Sequence, residues 1–196
     1  MVKIFIEGAA KGDLSTECRR NFKTFFAKAG IDTNKISPVA CGSRETAYRR
    51  FRKSWDKNEE CYLLVDSEYP ISSQEEIWTL LSAPRNGNWS KPGRSEDRHC
   101  HLMVECMENW LLSDADAVKE YYGKDFHSNL MLQRNDLEMI SKQDAKSTLE
   151  RATYDTTKGK YSKGRHSFKL LGLISPTVVE NKCGFCKRLL DELRRL

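Results

Sequence analysis

The chain has 196 residues, 39% of them hydrophobic and 31% charged, with a net charge of +5. That length can bury a sizeable core without disulfide or metal staples, and the composition is that of an ordinary globular chain, not a disordered or fibrous one. The small basic excess permits a polyanionic partner without demanding one, and no apolar run reaches the length of a membrane helix.

In chain order the pattern predicts a first strand over residues 2–7. A helix over 14–29 follows, with Leu14, Cys18, Phe22, Phe25 and Phe26 at helical spacing and Gly30 closing it. Residues 36–40 read as a second strand. Ser43 is placed to cap a helix running to about Trp55, with Thr46 where a capping box would carry Glu or Gln. Residues 61–66 form a third strand and 74–82 a helix. Residues 83–98 are a long loop rich in Gly, Pro and Asn, with Trp89 inside it; loops of that length are mobile or functional. A fourth strand covers 101–105, and Met107 to Leu112 turn into helix, with Trp110 anchoring it in the core. Further helices are expected over 114–121, 142–152, 166–173 and 181–195.

Strand–helix–strand alternation is the arithmetic of a parallel sheet. The expected fold class is α/β, a Rossmann-like, mainly parallel sheet flanked by helices, with additional C-terminal helices. Residues 1–125 form the α/β core and 126–196 a helical part packed on it, in one domain overall. The N-terminus reads as strand, without a signal-peptide layout. Seven cysteines, an odd number in apolar or helical contexts, point to a reducing cytoplasm, not a disulfide framework.

Two acidic signatures close hydrophobic runs. One is Lys3-Ile-Phe-Ile-Glu7-Gly8; the other is Leu63-Leu-Val-Asp66-Ser-Glu68. Ligand sites in open α/β sheets lie outside the carboxyl ends of strands, and carboxylates gathered there suit a hard cation such as Mg²⁺ or Mn²⁺. On an extended segment Asp66 and Glu68 project from the same face, and Glu7 joins them if the two strands lie close together. Glu105 and Glu108 follow the fourth strand. Glu108 is a further candidate metal ligand, with a first-turn carboxylate favoured by the helix dipole as the structural alternative.

Between Lys158 and His166 four cations and a histidine occur with no acid among them. Lys158, Lys160, Lys163 and Arg165 are candidate phosphate contacts, Lys163 and His166 candidate catalytic groups, and Tyr161 a candidate for base stacking. The expectation is that this segment approaches the acidic cluster. Arg44 opens a second basic stretch in which Arg49, Arg52 and Lys53 share a helical side, a weak sign of a nucleic-acid surface. Cys183 and Cys186 form a lone pair at CxxC spacing, without the second pair that zinc normally takes. No phosphate-binding glycine loop and no serine-hydrolase elbow occurs.

Glu7 after the first strand and Asp66-Ser-Glu68 after the third resemble the Toprim pattern of topoisomerases, primases and overcoming-lysogenisation-defect nucleases. More closely, the chain resembles a bacterial Toprim-like family of unknown function. The matching stretches are Ile4–Gly8, Ala40–Arg44, Leu64–Glu68, His101–Trp110 and Lys158–Phe168, spread over nearly the whole chain. It departs from the Toprim pattern at Glu68, where Asp is usual. The resemblance implies a Mg²⁺-dependent nuclease effector of anti-phage defence, controlled by an AAA/ABC-type ATPase partner. Glu7, Asp66 and Glu68 would be its catalytic and metal-binding carboxylates. A non-catalytic scaffold that binds nucleic acid or an ATPase subunit is the alternative from another class, and a nucleotide phosphotransferase is a second enzymatic one.

Overall fold

The computed structural model describes residues 1–71, 76–131 and 134–196. The apolar runs become four strands: β1 (Val2–Ile6), β2 (Ile36–Ala40), β3 (Cys61–Asp66) and β4 (Cys100–Met103). They form one all-parallel sheet in the order β2-β1-β3-β4. The chain leaves β1 for β2 on one side, then crosses to β3 on the other. The sheet therefore reverses its winding between β1 and β3, and a crevice opens at their carboxyl ends.

Helix α1 (Gly12–Lys28) connects β1 to β2, α2 (Arg44–Trp55) connects β2 to β3, and α3 (Ile77–Ser82) precedes β4. After the sheet come α4 (Met107–Ser113), α5 (Ala115–Tyr122), α6 (Lys142–Thr153), α7 (Lys163–Leu173), α8 (Pro176–Lys182) and α9 (Gly184–Leu193). Side chains alternate across the sheet, and both faces are covered. Ile4, Ile6, Tyr62 and Leu64 pack under α1 and the C-terminal helices, whereas Phe5, Leu63, Val65 and Leu102 pack against α2 and α3. The α/β fold with a flanked parallel sheet is the one expected.

Ser43 caps α2 as its position implied, its hydroxyl accepting from the Thr46 amide at 3.2 Å. The helix expected over 74–82 begins at Ile77; residues 74 and 75 lie outside the described residues. The 83–98 segment holds two short 3-10 turns, and Trp89 is buried with its ring stacked on Tyr48 at 4.4 Å. β4 is shorter than expected and ends at Met103. The helix expected from 166 starts at Lys163, and the one expected over 181–195 breaks at Cys183, an extended residue between α8 and α9. Glu138 accepts from the Phe185 amide at 2.9 Å, satisfying a donor of α9's first turn at that break. All seven cysteines are free and buried. No described helix is long and apolar enough to cross a membrane.

Helix α4 is the hub that joins sheet and C-terminal helices. Trp110 is fully buried and stacks on Phe25 of α1, with centroids 5.6 Å apart. Asn109 donates to the Leu137 and Ile140 carbonyls at 2.7 and 2.8 Å, which fixes the segment leading into α6. The indole N–H of Trp110 has no acceptor among the described residues, so its worth lies in volume. Trp110→Ala should cost about 3–5 kcal/mol, while Trp110→Phe, which keeps an aromatic ring against Phe25, should cost much less. Urea denaturation of the two variants checks this; equal losses would contradict it.

Candidate metal centre

The site begins where β1 and β3 end. The Glu7 amide still donates to the Leu64 carbonyl at 2.9 Å, so the chain stays against β3 one residue beyond the strand. The Glu7 carboxylate in turn accepts from the Asp66 amide at 2.9 Å. Gly8 lets the backbone pass closely: a Cβ there would lie 3.0 Å from the Cys18 sulfur and 3.2 Å from the Phe168 ring. Asp66 is the last residue of β3, only 1% exposed, and its Oδ1 accepts from the Met107 amide at the start of α4 at 3.1 Å.

Glu68 reaches the same place by a route that strand alternation does not describe. Its amide donates to the Glu105 carbonyl at 3.1 Å, and its φ is +68°, in the left-handed region. Such a conformation costs a non-glycine residue about 1–3 kcal/mol and tends to persist at functional sites. The expectation of an extended Asp-x-Glu is corrected in this respect: a turn, not a shared strand face, brings the two carboxylates together. One oxygen each of Glu7, Asp66 and Glu68 lies within 4.8 Å of the others.

Two lysines flank the three carboxylates. Lys163, in the first turn of α7, places Nζ 3.4 Å from Asp66 Oδ2 and 3.7 Å from Glu108 Oε2. Lys142, the first residue of α6, places Nζ 2.6 Å from Glu68 Oε1 and 3.7 Å from Asp66 Oδ2. Burial pushes Glu7 up to about 7, helped by the Asp66 charge. Burial also pushes Asp66 up to about 6, although Lys163 opposes the shift. For both lysines burial favours the neutral form, but the carboxylates outweigh it and hold them above the usual lysine value: Asp66 and Glu108 beside Lys163, Glu68 and Asp66 beside Lys142.

Glu108 does not belong to the group of three. Its Oε1 accepts from the Tyr161 hydroxyl at 2.9 Å, and its Oε2 faces Lys163. Glu105 points to α6, accepting from the Lys142 amide at 2.8 Å. Of the basic segment only Lys163 and its neighbour Gly164 line the cleft at the carboxylates. Lys160 pairs with Glu150 at 3.0 Å, Lys158 lies over the Tyr121 ring, and Arg165 is exposed on α7. His166 is turned inward: Nδ1 accepts from the Ser162 amide at 3.1 Å, and the ring packs among Tyr121, Tyr122 and Tyr161. The expectation that the whole segment approaches the acidic cluster is corrected by the earlier start of α7, which rotates His166 to the core side. Arg44 lies over the Trp89 ring at 4.7 Å, while Arg49, Arg52 and Lys53 are exposed on α2.

Lys142 was missed by sequence reasoning. Ser141 caps α6, accepting from the Asp144 amide at 3.0 Å, and that cap is a readable signal for the helix start. Nothing in the sequence links this start to Glu68.

The cleft itself measures about 200 Å³ and is lined by Glu7, Asp66 and Lys163 together with the apolar side chains of Leu14, Met103, Met107 and Phe168. A set of three carboxylates without nitrogen or sulfur donors fits a hard divalent cation. Burial raises Glu7 and Asp66, and the neighbouring carboxylates add to the rise, so a cation in the cleft would stabilise their charged forms. The cluster can hold a metal ion.

Residues 8–194 match a family described as a domain of unknown function, DUF4276, and the chain belongs to that family. The matched span starts one residue after Glu7. No curated protein and no solved structure matches the chain.

Without metal, Glu7 binds its proton more tightly in the folded chain, at about 7, than at its ordinary value of 4.5. Its contribution to stability is therefore complete below pH 4.5 and is lost as the pH rises to 7. Glu7→Gln, which can still accept from the Asp66 amide, removes that loss. In chelator, the melting temperature of Glu7→Gln relative to wild type should climb across this interval, by at most about 1.4 kcal/mol in stability per pH unit, and then level off. A difference that does not change with pH would contradict the buried-carboxylate account.

Proposed function

We propose that the chain is a divalent-metal-dependent nuclease of the Toprim type, hydrolysing phosphodiester bonds of DNA or RNA. The observation that carries this is the convergence of Glu7, Asp66 and Glu68 within 4.8 Å at the point where the sheet reverses its winding. The resemblance of Ile4–Gly8 and Leu64–Glu68 to Toprim signatures agrees with that placement. Mg²⁺ or Mn²⁺ held by these carboxylates would offset phosphoryl charge and lower the pKa of a bound water.

The chain's own groups divide the remaining tasks. The Met107 and Asp66 amides orient Asp66 and Glu7, each fixing one oxygen of a carboxylate that lines the cleft. Lys163, steadied by Glu108, and Lys142 are the cations available to a phosphate's non-bridging oxygens. Glu7, beside the cleft, is also a candidate to exchange a proton with water or a leaving oxygen. The AAA/ABC-type ATPase as partner and anti-phage defence as setting belong to this proposal through the family resemblance alone, and the cytoplasm as compartment through the cysteine usage.

One observation favours a second reading. Lys142 and Lys163 already pair with Glu68 and Asp66, as they would in a scaffold that keeps the carboxylates only for folding and binds nucleic acid or an ATPase subunit elsewhere.

Plasmid, single-stranded DNA, RNA and tRNA incubated with the chain, alone and with any AAA/ABC-type ATPase encoded beside it, distinguish the two readings. The nuclease reading expects cleavage that needs Mg²⁺ or Mn²⁺ and falls about 10²-fold or more in Glu7→Gln and in Lys163→Met. Wild-type behaviour of Glu7→Gln at matched protein level would leave the scaffold standing.

A further inference from the structure

We propose, on the metal-site reading above, that Lys142 takes the place of a second metal ion: the cluster of Glu7, Asp66 and Glu68 holds one divalent cation and not two. Two-metal phosphodiester sites set their ions about 3.5–4 Å apart and clamp the attacking and leaving oxygens between them. Such a pair of ions needs many carboxylate oxygens, and here half of them are already committed. Glu7 Oε2 accepts from the Asp66 amide at 2.9 Å, Asp66 Oδ1 from the Met107 amide at 3.1 Å, and Glu68 Oε1 from Lys142 Nζ at 2.6 Å. That leaves one oxygen on each carboxylate for an ion. Such a set, completed by water, suits a single octahedral Mg²⁺ or Mn²⁺. A second ion would need Glu68 Oε1 and a share of Asp66 Oδ2, the two oxygens that Lys142 Nζ spans at 2.6 and 3.7 Å. Lys163 also approaches Asp66 Oδ2, but its other partner is Glu108, outside the group of three.

An ion pair between two long, partly exposed side chains is usually weak and easily exchanged. This one is held from both backbones by a single buried residue. The Glu105 carbonyl accepts from the Glu68 amide at 3.1 Å, and the Glu105 carboxylate accepts from the Lys142 amide at 2.8 Å. Ser141 caps the helix that Lys142 opens, and Asn109 grips the Leu137 and Ile140 carbonyls just before it. Glu68 adopts the left-handed turn, at a φ of +68°, that brings its carboxylate to the ammonium. Glu105 is thus a positioning residue for the pair, and the place of Lys142 Nζ is built into the fold. An ammonium is a compact charge with three donors, so Lys142 can hold Glu68 and still donate to a phosphate oxygen, as a second ion would. It cannot lower the pKa of a bound water as a metal does, so that task stays with the single cation.

The test counts Mn²⁺ ions bound per full-length chain by electron paramagnetic resonance, in wild type, Lys142→Met, Lys142→Ala, Lys142→Arg and Asp66→Asn, with circular dichroism to confirm that each is folded. Wild type and Lys142→Arg should bind one Mn²⁺ with the spectrum of an isolated ion. Lys142→Met and Lys142→Ala, which release Glu68 Oε1, should take up a second Mn²⁺ close enough to the first for their spins to couple. Asp66→Asn should lose both ions, which assigns them to the cluster. Two coupled Mn²⁺ ions in wild type, or a single ion in both Lys142→Met and Lys142→Ala, would overturn the proposal and leave the metal site standing. No bound Mn²⁺ in wild type would sink the metal-site reading and this proposal together.

Discussion

The carboxyl edge of the sheet is organised around one buried carboxylate, Asp66. Placing a charge at the end of a central strand, under α4, carries a desolvation penalty of several kcal/mol unless donors and cations offset it. The surroundings follow from that constraint. The Met107 amide holds one oxygen and Lys163 and Lys142 approach the other, while the Asp66 amide fixes Glu7. Burial still raises Glu7 and Asp66, and the neighbouring carboxylates add to the rise. A divalent cation in the cleft would stabilise their charged forms.

The same constraint explains why the C-terminal helices belong to the site and are more than cover for the sheet. The two cations nearest the carboxylates come from the first turns of α6 and α7. Each is positioned by a second acid from the α4 region. Glu105 receives the Lys142 amide, and Glu108, itself held by Tyr161, faces Lys163. Asn109 ties the segment before α6 to α4. Changes at Glu105, Asn109 or Tyr161 would therefore reach the cleft through the lysines without touching a ligand there.

Much of this was legible in the sequence because it is local. The unbroken apolar runs Ile4–Ile6 and Leu63–Val65 read as buried strands, and a carboxylate directly after each run falls at the sheet's open edge. The helix spacing of Cys18, Phe22, Phe25 and Phe26 reads correctly for the same reason; all four are buried in α1. What failed depended on distant contacts. Glu68 was read as extended but turns left-handed, because its amide is held by the Glu105 carbonyl. His166 looked like a site residue from its cationic neighbours; a helix starting three residues earlier turns it into a tyrosine cluster. Lys142 carries no local mark, since its partner Glu68 lies 74 residues away.

Cation binding separates a metal site at Glu7, Asp66 and Glu68 from a set of internal ion pairs. The most direct measurement is a Mn²⁺ titration of the isolated chain followed by electron paramagnetic resonance, in wild type, Glu7→Gln and Asp66→Asn. At a cation site, wild type removes Mn²⁺ from the free pool, and either substitution largely abolishes this while the fold is retained. Free Mn²⁺ throughout a millimolar titration of wild type, or equal binding after Asp66→Asn, would contradict it.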